Sequence, residues 1–517
     1  MANANLFQTL KSKLLPAADA LNFEAGPAYR LTPKHRLAQY AATGCLNDTY
    51  YASAGNQLDT ILALGKDVDS RFIAQTAIYC RERGYMKDMP ALLAAVLAAR
   101  GAPELVPVFG RVIDNGRMLR NFVQILRSGA TGRKSLGTRP KKLVQQWLNS
   151  ASEQALLAAS VGNTPSLADV VRMVHPKPAE AWREAFFAWL IGKPCAPQAL
   201  PPGVRAFEAW KGERGGELPA VPFQMLTALD LPAEDWAQAA LRGGWQMLRM
   251  NLNTFQRHGV FELPGMIEAV AARLRDPLEI VRARVFPYQL MAACRSANAD
   301  LPEALHEALR EALEISLARV PRIEGRVVIC PDVSGSMSSP VSGYRGSATT
   351  RMRCVDVAAL VAAAMLRTNP QALVLPFAQD VVDLELDAGA PVMANAEKLA
   401  SVCGGGTNCS AALARLNRTK TRAELVVFVS DNQSWIDAQR HGATATMHEW
   451  RRFKQRNPGA RLVCIDITPY GTVQAQEAPD VLNVGGFSDA VFDIAAAFAA
   501  GQLQPDHWVG EIEALAL

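Results

Sequence analysis

The stretch VVICPDVSGSMSS, residues 327–339, runs apolar and then stops at a carboxylate, Asp332, followed by Ser334 and Ser336 at alternate positions. Asp and Ser are favoured helix N-caps, so taken alone this pattern reads as a capping turn. Two further segments change the balance. CGGGTNCS, 403–410, is a glycine-rich loop that carries Thr407 just ahead of a helix, and VVFVSDNQ, 426–433, is a buried strand that delivers Asp431. Asp332, Ser334, Ser336, Thr407 and Asp431 together offer two carboxylates and three hydroxyls. All are hard oxygen donors, suited to Mg2+, with Mn2+ or Ca2+ as alternatives, and unsuited to zinc. Two carboxylate charges against a divalent cation leave the site neutral, with a coordination position for water or for a partner's carboxylate.

These residues need a scaffold that brings three loops to one edge, and the pattern after residue 324 supplies it. GRVVICP (325–331), ALVLPF (372–377), AELVVFVS (423–430) and RLVCIDI (461–467) read as strands. CVDVAALVAAAMLRT (354–368), TMHEWRRFKQR (446–456) and SDAVFDIAAAFAAG (488–501) read as helices between and after them. Continuous Val/Ile/Leu strands alternating with helices mean a mostly parallel sheet covered on both faces. Ligands in such sheets bind at the carboxyl ends of the strands, where Asp332 and Asp431 lie.

Residues 1–320 read differently. DSRFIAQTAIYCRERG (69–84), DMPALLAAVLAARG (88–101) and LPEALHEALREALEISLARV (301–320) carry apolar residues at three and four spacing. Asp or Pro opens many such segments and Gly closes them. Convincing β alternation is absent, and no fixed-period repeat is visible. Helix density therefore points to stacked helix pairs of the HEAT kind. The Pro/Gly-rich stretch 192–222 is expected to be a long irregular loop. The expected division is an all-α helical domain over 1–324 and an α/β doubly wound domain over 325–517, consistent with a 517-residue chain too long for one core.

Composition is that of a folded soluble protein, 49% hydrophobic and 20% charged. The longest apolar runs are too short to span a bilayer. Lys11, Lys13 and Pro16 interrupt the layout a signal peptide would need. Nine cysteines without CxxC pairs or zinc spacing read as reduced thiols in a cytoplasmic protein. The net charge of +5 is uneven: residues 1–325 hold 38 Lys+Arg against 30 Asp+Glu, and residues 326–517 hold 16 against 19. That suggests an anion-binding first part. Within it, residues 111–142 contain nine Lys/Arg and one acid, Asp114. Lys134, Arg139 and Lys141 stand out by charge. Two readings of this run stay open: a solvated helix face, or phosphate contacts to a folded RNA. GATGRKS (129–135) is no phosphate loop, because its glycines are too close and no strand precedes it. No GxSxG occurs around Gly335, and no general base is placed by sequence, so an enzyme is not expected.

The second part resembles a von Willebrand factor A (vWA) domain with its metal-ion-dependent adhesion site, on the three segments quoted above. That resemblance implies Asp332, Ser334 and Ser336 as a first ligand cluster, Thr407 as a second and Asp431 as a third. Farther upstream, LNFEAGPAYRLTPKHRLAQYAATGCLNDTYY (21–51), RERGYMKDMPALLAA, SLGTRPKKLVQQWLN, SLADVVRMVHPKP and RARVFPYQLMAA resemble the TROVE module of the Ro autoantigen family, bacterial Rsr-like members included. The resemblance implies a monomer whose HEAT-like helix pairs form a ring closed by the vWA domain. It implies small noncoding Y RNAs on the outer surface and single-stranded ends of misfolded RNAs in a central hole. An acidic protein ligand or an exoribonuclease are further implied partners. Lys142, five before Trp147, and His175 in VHPKP match positions that contact Y RNA. Asn408 and Gln433 depart from the pattern, standing where Asp and Glu are usual, which removes two outer carboxylates from the metal site. A second class of function is a metal-dependent protein-adhesion scaffold without RNA.

Overall fold

The computed structural model describes residues 15–43, 46, 48–213, 217–341, 352–436, 438, 442–503 and 506–517. Packing divides the chain into two compact units. One gathers the residues up to Val68 with Phe286–Ser296 and Leu313–Ala514; the other gathers Asp69–Val285, Ala297–Ala312 and Leu515–Leu517. The amino-terminal segment thus packs with the sheet rather than with the helices that follow it in sequence.

The first unit is built on a five-stranded parallel sheet. Its strands are β3 (Val327–Pro331), β4 (Leu373–Val374), β5 (Leu425–Ser430), β6 (Arg461–Asp466) and β8 (Val481–Gly485). They lie in the order β4-β3-β5-β6-β8. β3, β5 and β8 are buried at every residue, as continuous apolar runs require in a sheet covered on both faces. Register fixes the functional edge. Pro331 pairs with Val429 and Ser430 with Asp466, so Asp332, Asp431 and Asp466 emerge nearly abreast.

ALVLPF is assigned as strand only over Leu373–Val374, yet the Leu375 and Phe377 amides still donate to Ile329 and Pro331. Pro376 lies between those two donors on the edge strand, where a missing N–H costs nothing. The helix Cys354–Thr368 is buried over its first thirteen residues. Asp356, fully buried in its first turn, pairs with Arg295 at 2.7 Å and Arg353 at 2.9 Å.

Several elements of this unit were not foreseen. β8 holds Asn483 amid its apolar residues and follows a polar stretch. A small antiparallel sheet joins β1 (Ala20–Leu21), β2 (Pro27–Arg30) and β7 (Thr472–Val473). Strands of two to four residues are too short to show alternation. The helix Pro33–Thr43 buries eight of its residues and lies against β8, where a Cβ on Gly485 would come within 3.1 Å of the Gln39 Cα. Glycine there permits the close approach.

The second unit is helical. Ser70–Glu82, Asp88–Arg100, Leu105–Val112, Gly116–Ser128, Thr138–Ser150, Glu153–Ser160 and Leu167–Val174 follow one another with short connections. Asp69, Asn115, Ser152 and Ser166 cap helix starts with their side chains, and Gly101 and Gly129 close helices in the left-handed conformation. The expectation of an irregular loop over 192–222 is corrected. Pro202–Glu213 is a helix, preceded by a turn of 3-10 helix at Pro197–Ala199. Val204, Phe207 and Trp210 are buried at every third position, and prolines at a helix start are harmless, so periodicity outweighs Pro/Gly content. Among the described residues no helix is long and apolar enough to cross a membrane, and the eight cysteines described are free.

Candidate metal centre and cationic face

At the carboxyl edge of the sheet, Asp332 is fully buried. Its Oδ1 accepts the Ser334 amide at 2.8 Å and its Oδ2 accepts the Ser430 hydroxyl at 2.6 Å. The Ser334 and Ser336 hydroxyls lie 3.3 Å apart. Asp431, 3% exposed, accepts the Gln433 amide at 3.2 Å. The glycine loop is tied to the first: the Gly404 amide donates to the Val333 carbonyl and the Gly335 amide to Gly405. It is tied to the third as well, because the Trp435 and Ile436 amides donate to the Thr407 carbonyl. Thr407, 2% exposed, is thereby held between the two carboxylate loops.

The electrostatics of this cluster are unfavourable to two anions. Burial pushes the Asp332 carboxyl above its ordinary range, against the pull of Ser334 and Ser430. Burial, and then the charge of Asp332, push Asp431 to about 7. Two buried carboxylates that repel each other, set among clustered hydroxyls, are what a hard divalent cation would relieve. The donor set fits such an ion: Asp332, Ser334, Ser336, Thr407 and Asp431 could hold it. Among the described residues no cluster of three or more His, Cys, Asp or Glu offers a metal site of another kind.

Sequence reasoning missed three neighbours. Asp466 ends β6 on the same edge and hydrogen-bonds with the Gln39 and Asn432 amides; burial, with Asp431 and Glu477 nearby, holds its carboxyl well above the usual range. Its signal was present, since RLVCIDI ends in an acid as β3 and β5 do. Glu24 and Tyr51, from the amino-terminal segment, also lie near the site, close enough for the charge of Glu24 to act on Asp431 and that of Asp431 to act on the Tyr51 phenol. Nothing local in the sequence marks them. The two departures have structural work here. Asn408 Oδ1 accepts the Ser410 amide and hydroxyl. Gln433 donates to the Asp431 carbonyl and accepts the Phe23 amide.

In the helical unit, Lys142 and His175 are exposed on neighbouring elements. Gln145, one turn beyond Lys142, donates to the Val174 carbonyl at 2.6 Å and to His175 at 3.3 Å, which seats His175 beside the helix Thr138–Ser150. His175 ends its helix with φ 52. Lys134 is exposed and Lys141 half-buried, and among the described residues neither they nor Lys142 nor His175 forms an ion pair. Arg139 is placed otherwise. Its guanidinium donates to the Gly101 carbonyl at 3.0 Å, and Arg133 donates to Ala98 at 2.7 Å, so both close the end of the helix Asp88–Arg100.

A helical region followed by a parallel-sheet domain with oxygen donors at its carboxyl edge defines a vWA-containing helical-repeat protein. Residues 326–499 match the family described as the Ro60 vWA domain. A protein named RNA-binding protein RO60 from Deinococcus radiodurans is 25% identical over 520 residues, covering 93% of this chain and 95% of that protein. The crystal structure of the Deinococcus radiodurans Ro (Rsr) protein matches with a TM-score of 0.60 at 21% identity, covering 91% of this chain and all of that one. Over nearly its whole length the chain is thus similar to Ro/Rsr proteins, and its parallel-sheet part matches the Ro60 vWA domain.

Proposed function

We propose that this chain is a non-enzymatic RNA-binding protein. It takes a small structured RNA of the Y class on the face around Lys142 and His175, and single-stranded ends of misfolded RNAs as a second class of ligand. The cellular role would be small-RNA stability and RNA quality control in the cytoplasm, with an exoribonuclease as a partner. The observation that carries this reading is the Gln145 bridge, which seats His175 against the helix that carries Lys142; both side chains are exposed and, among the described residues, neither is paired with a carboxylate. Phosphate oxygens are the natural counter-charge for such a pair. Likeness to a protein named for RNA binding supports it. The test is filter binding of a stem-containing Y-like RNA to the intact chain and to Lys142→Ala/His175→Ala; equal affinities would remove this face from the proposal.

In the same reading Mg2+, or Mn2+ or Ca2+, is held by Asp332, Ser334, Ser336, Thr407 and Asp431. A second reading, an adhesion scaffold without RNA, is favoured by Trp435 and Ile436, which stay 44% and 39% exposed beside Thr407. A partner's acidic residue would then complete the ion. Nucleic acid co-purifying with the chain, seen as a raised 260/280 nm absorbance ratio, separates the two readings.

A further inference from the structure

Asp466 ends β6 in register with Ser430 and is 2% exposed. Among the described residues it forms no ion pair. A buried carboxylate without a cation is costly, so its retention asks for something only a carboxylate supplies. Its two oxygens meet two amide donors: Oδ1 accepts the Asn432 side chain and Oδ2 that of Gln39. An asparagine would offer one acceptor for both. Asn432 is held from other sides as well. Its backbone amide donates to the Ser430 hydroxyl at 2.9 Å, and its carbonyl accepts the Gln474 side chain at 3.3 Å. It adopts the left-handed conformation, φ 58, directly after Asp431, and so sets the direction in which that carboxylate leaves the strand. The Ser430 hydroxyl in turn donates to Asp332 Oδ2 at 2.6 Å. At the far end Gln39 Oε1 accepts the Gly471 amide at 3.0 Å, so both polar atoms of that side chain are engaged. Gln39, 1% exposed, belongs to the helix Pro33–Thr43, seated against β8. A continuous line of hydrogen bonds therefore runs from Asp332 through Ser430, Asn432 and Asp466 to the amino-terminal helix.

We infer that Asp466 and Gln39 are positioning residues for the metal centre: they lock the Asn432 turn that aims Asp431, and so couple divalent-cation binding to the seating of the helix Pro33–Thr43. The inference rests on the metal reading of Asp332, Ser334, Ser336, Thr407 and Asp431. Among the described residues the Asp466 side chain bonds none of those five and acts through Asn432. Such coupling is reciprocal: a cation that orders Asp431 steadies the helix, and a seated helix prepares the site. It gives the amino-terminal segment a reason to pack with the sheet and not with the helices that follow it in sequence.

The experiment titrates Mn2+ into the full chain by calorimetry and follows amide hydrogen exchange over the helix Pro33–Thr43. Asp466→Asn should weaken Mn2+ binding about tenfold, the scale seen when a group supporting a metal site is lost. Gln39→Met keeps the length of the side chain, removes no charge and cannot donate, and should show a smaller loss in the same direction. The pair Asp466→Asn with Gln39→Glu exchanges carboxylate and amide, restores an acceptor for Asn432 and for Gly471, and should recover most of the affinity. Mn2+ should slow exchange in the helix of the parent chain and leave it unchanged in Asp466→Asn. If Asp466→Asn does not fold, Gln39→Met and the exchanged pair decide. A purely structural role would lower the thermal midpoint of the variants and leave Mn2+ affinity at the parent level; that result overturns the inference, as does a helix whose exchange ignores Mn2+ in the parent. Asp332→Ala separates the failures: Mn2+ binding that survives it removes the metal reading itself.

Discussion

The sheet edge of one unit and the cationic face of the other gather charge in opposite ways. At the edge, Asp332, Asp431 and Asp466 are buried, and neighbouring hydroxyls, amides and backbone groups fix them from several directions. On the helical face, Lys134, Lys142 and His175 are exposed and, among the described residues, form no ion pair. A buried cluster is cooperative, since each group's charge state depends on the others. An exposed one acts as a sum of weak, screened contacts. Mutations should therefore be abrupt and local at the edge, and graded and salt-dependent on the face.

The sharpest test of that contrast is Asp332→Ala. It removes one of the two carboxylates of the proposed centre, and Mg2+ or Mn2+ affinity should fall by more than about a hundredfold, beyond what outer groups contribute. RNA affinity should stay within about twofold, because the two sites are built by separate units and sites without shared partners behave independently. Calorimetry with Mn2+ and filter binding with RNA on the same preparation read both. Metal binding at the parent level would show that the ligand assignment is wrong.

The face should respond by degrees. Lys142→Ala with His175→Ala should lower affinity for a stem-containing RNA about tenfold near 0.1 M salt, and flatten the plot of log affinity against log salt by roughly one to two units. An abrupt loss of all binding would mean that the face is cooperative after all, and the contrast would fail.

A buried carboxyl beside the edge gives folding stability a pH signature. Glu477 accepts the Asn483 amide and side-chain N–H groups at 2.8 and 2.7 Å, and burial raises its carboxyl from 4.5 to about 7. The folded state therefore holds its proton where the unfolded chain has lost it. That contribution is whole below about pH 4.5 and disappears as pH rises through about 7. Glu477→Gln keeps an acceptor for Asn483 and cannot ionise. It should be more stable than the parent at pH 8, by about 1–2 kcal/mol after allowance for partial solvent contact. The advantage should shrink toward pH 5. Urea midpoints at the two pH values measure it, and a difference that does not vary with pH removes the explanation.

The same contrast explains what could be read from the sequence. Asp332 and Asp431 were legible because each ends a continuous apolar strand, and a parallel sheet brings such ends to one edge. Cys354–Thr368 was legible to the residue, since an apolar run bounded by Arg353 and Asn369 has few alternatives. Glu24 and Tyr51 were not legible, because their place depends on a turn fastened to residues some 410 positions away. Pro202–Glu213 was hidden by prolines that serve as a helix start. The charge run 111–142 marked a cationic stretch but could not show which of its cations also close helix ends. Arg139 is the case in point.

Charge alone placed Arg139 with Lys134 and Lys141 as an RNA contact. Its guanidinium donates to the Gly101 carbonyl at 3.0 Å and approaches that of Ala102 at 3.4 Å, the two residues that follow the helix Asp88–Arg100. Capping of this kind contributes about 0.5–1 kcal/mol, in part through the helix dipole. Arg139→Ala should therefore lower the urea midpoint slightly, while the salt slope of RNA binding changes by much less than the one unit expected for a lost phosphate contact. Arg139→Lys should recover only part of the stability, because an ammonium cannot reproduce the planar fork. Lys142→Ala should show the reverse pattern, with stability kept and the slope reduced. A full unit of slope lost in Arg139→Ala would put this arginine on the phosphates, and the cationic face would then extend one turn farther toward the start of its helix.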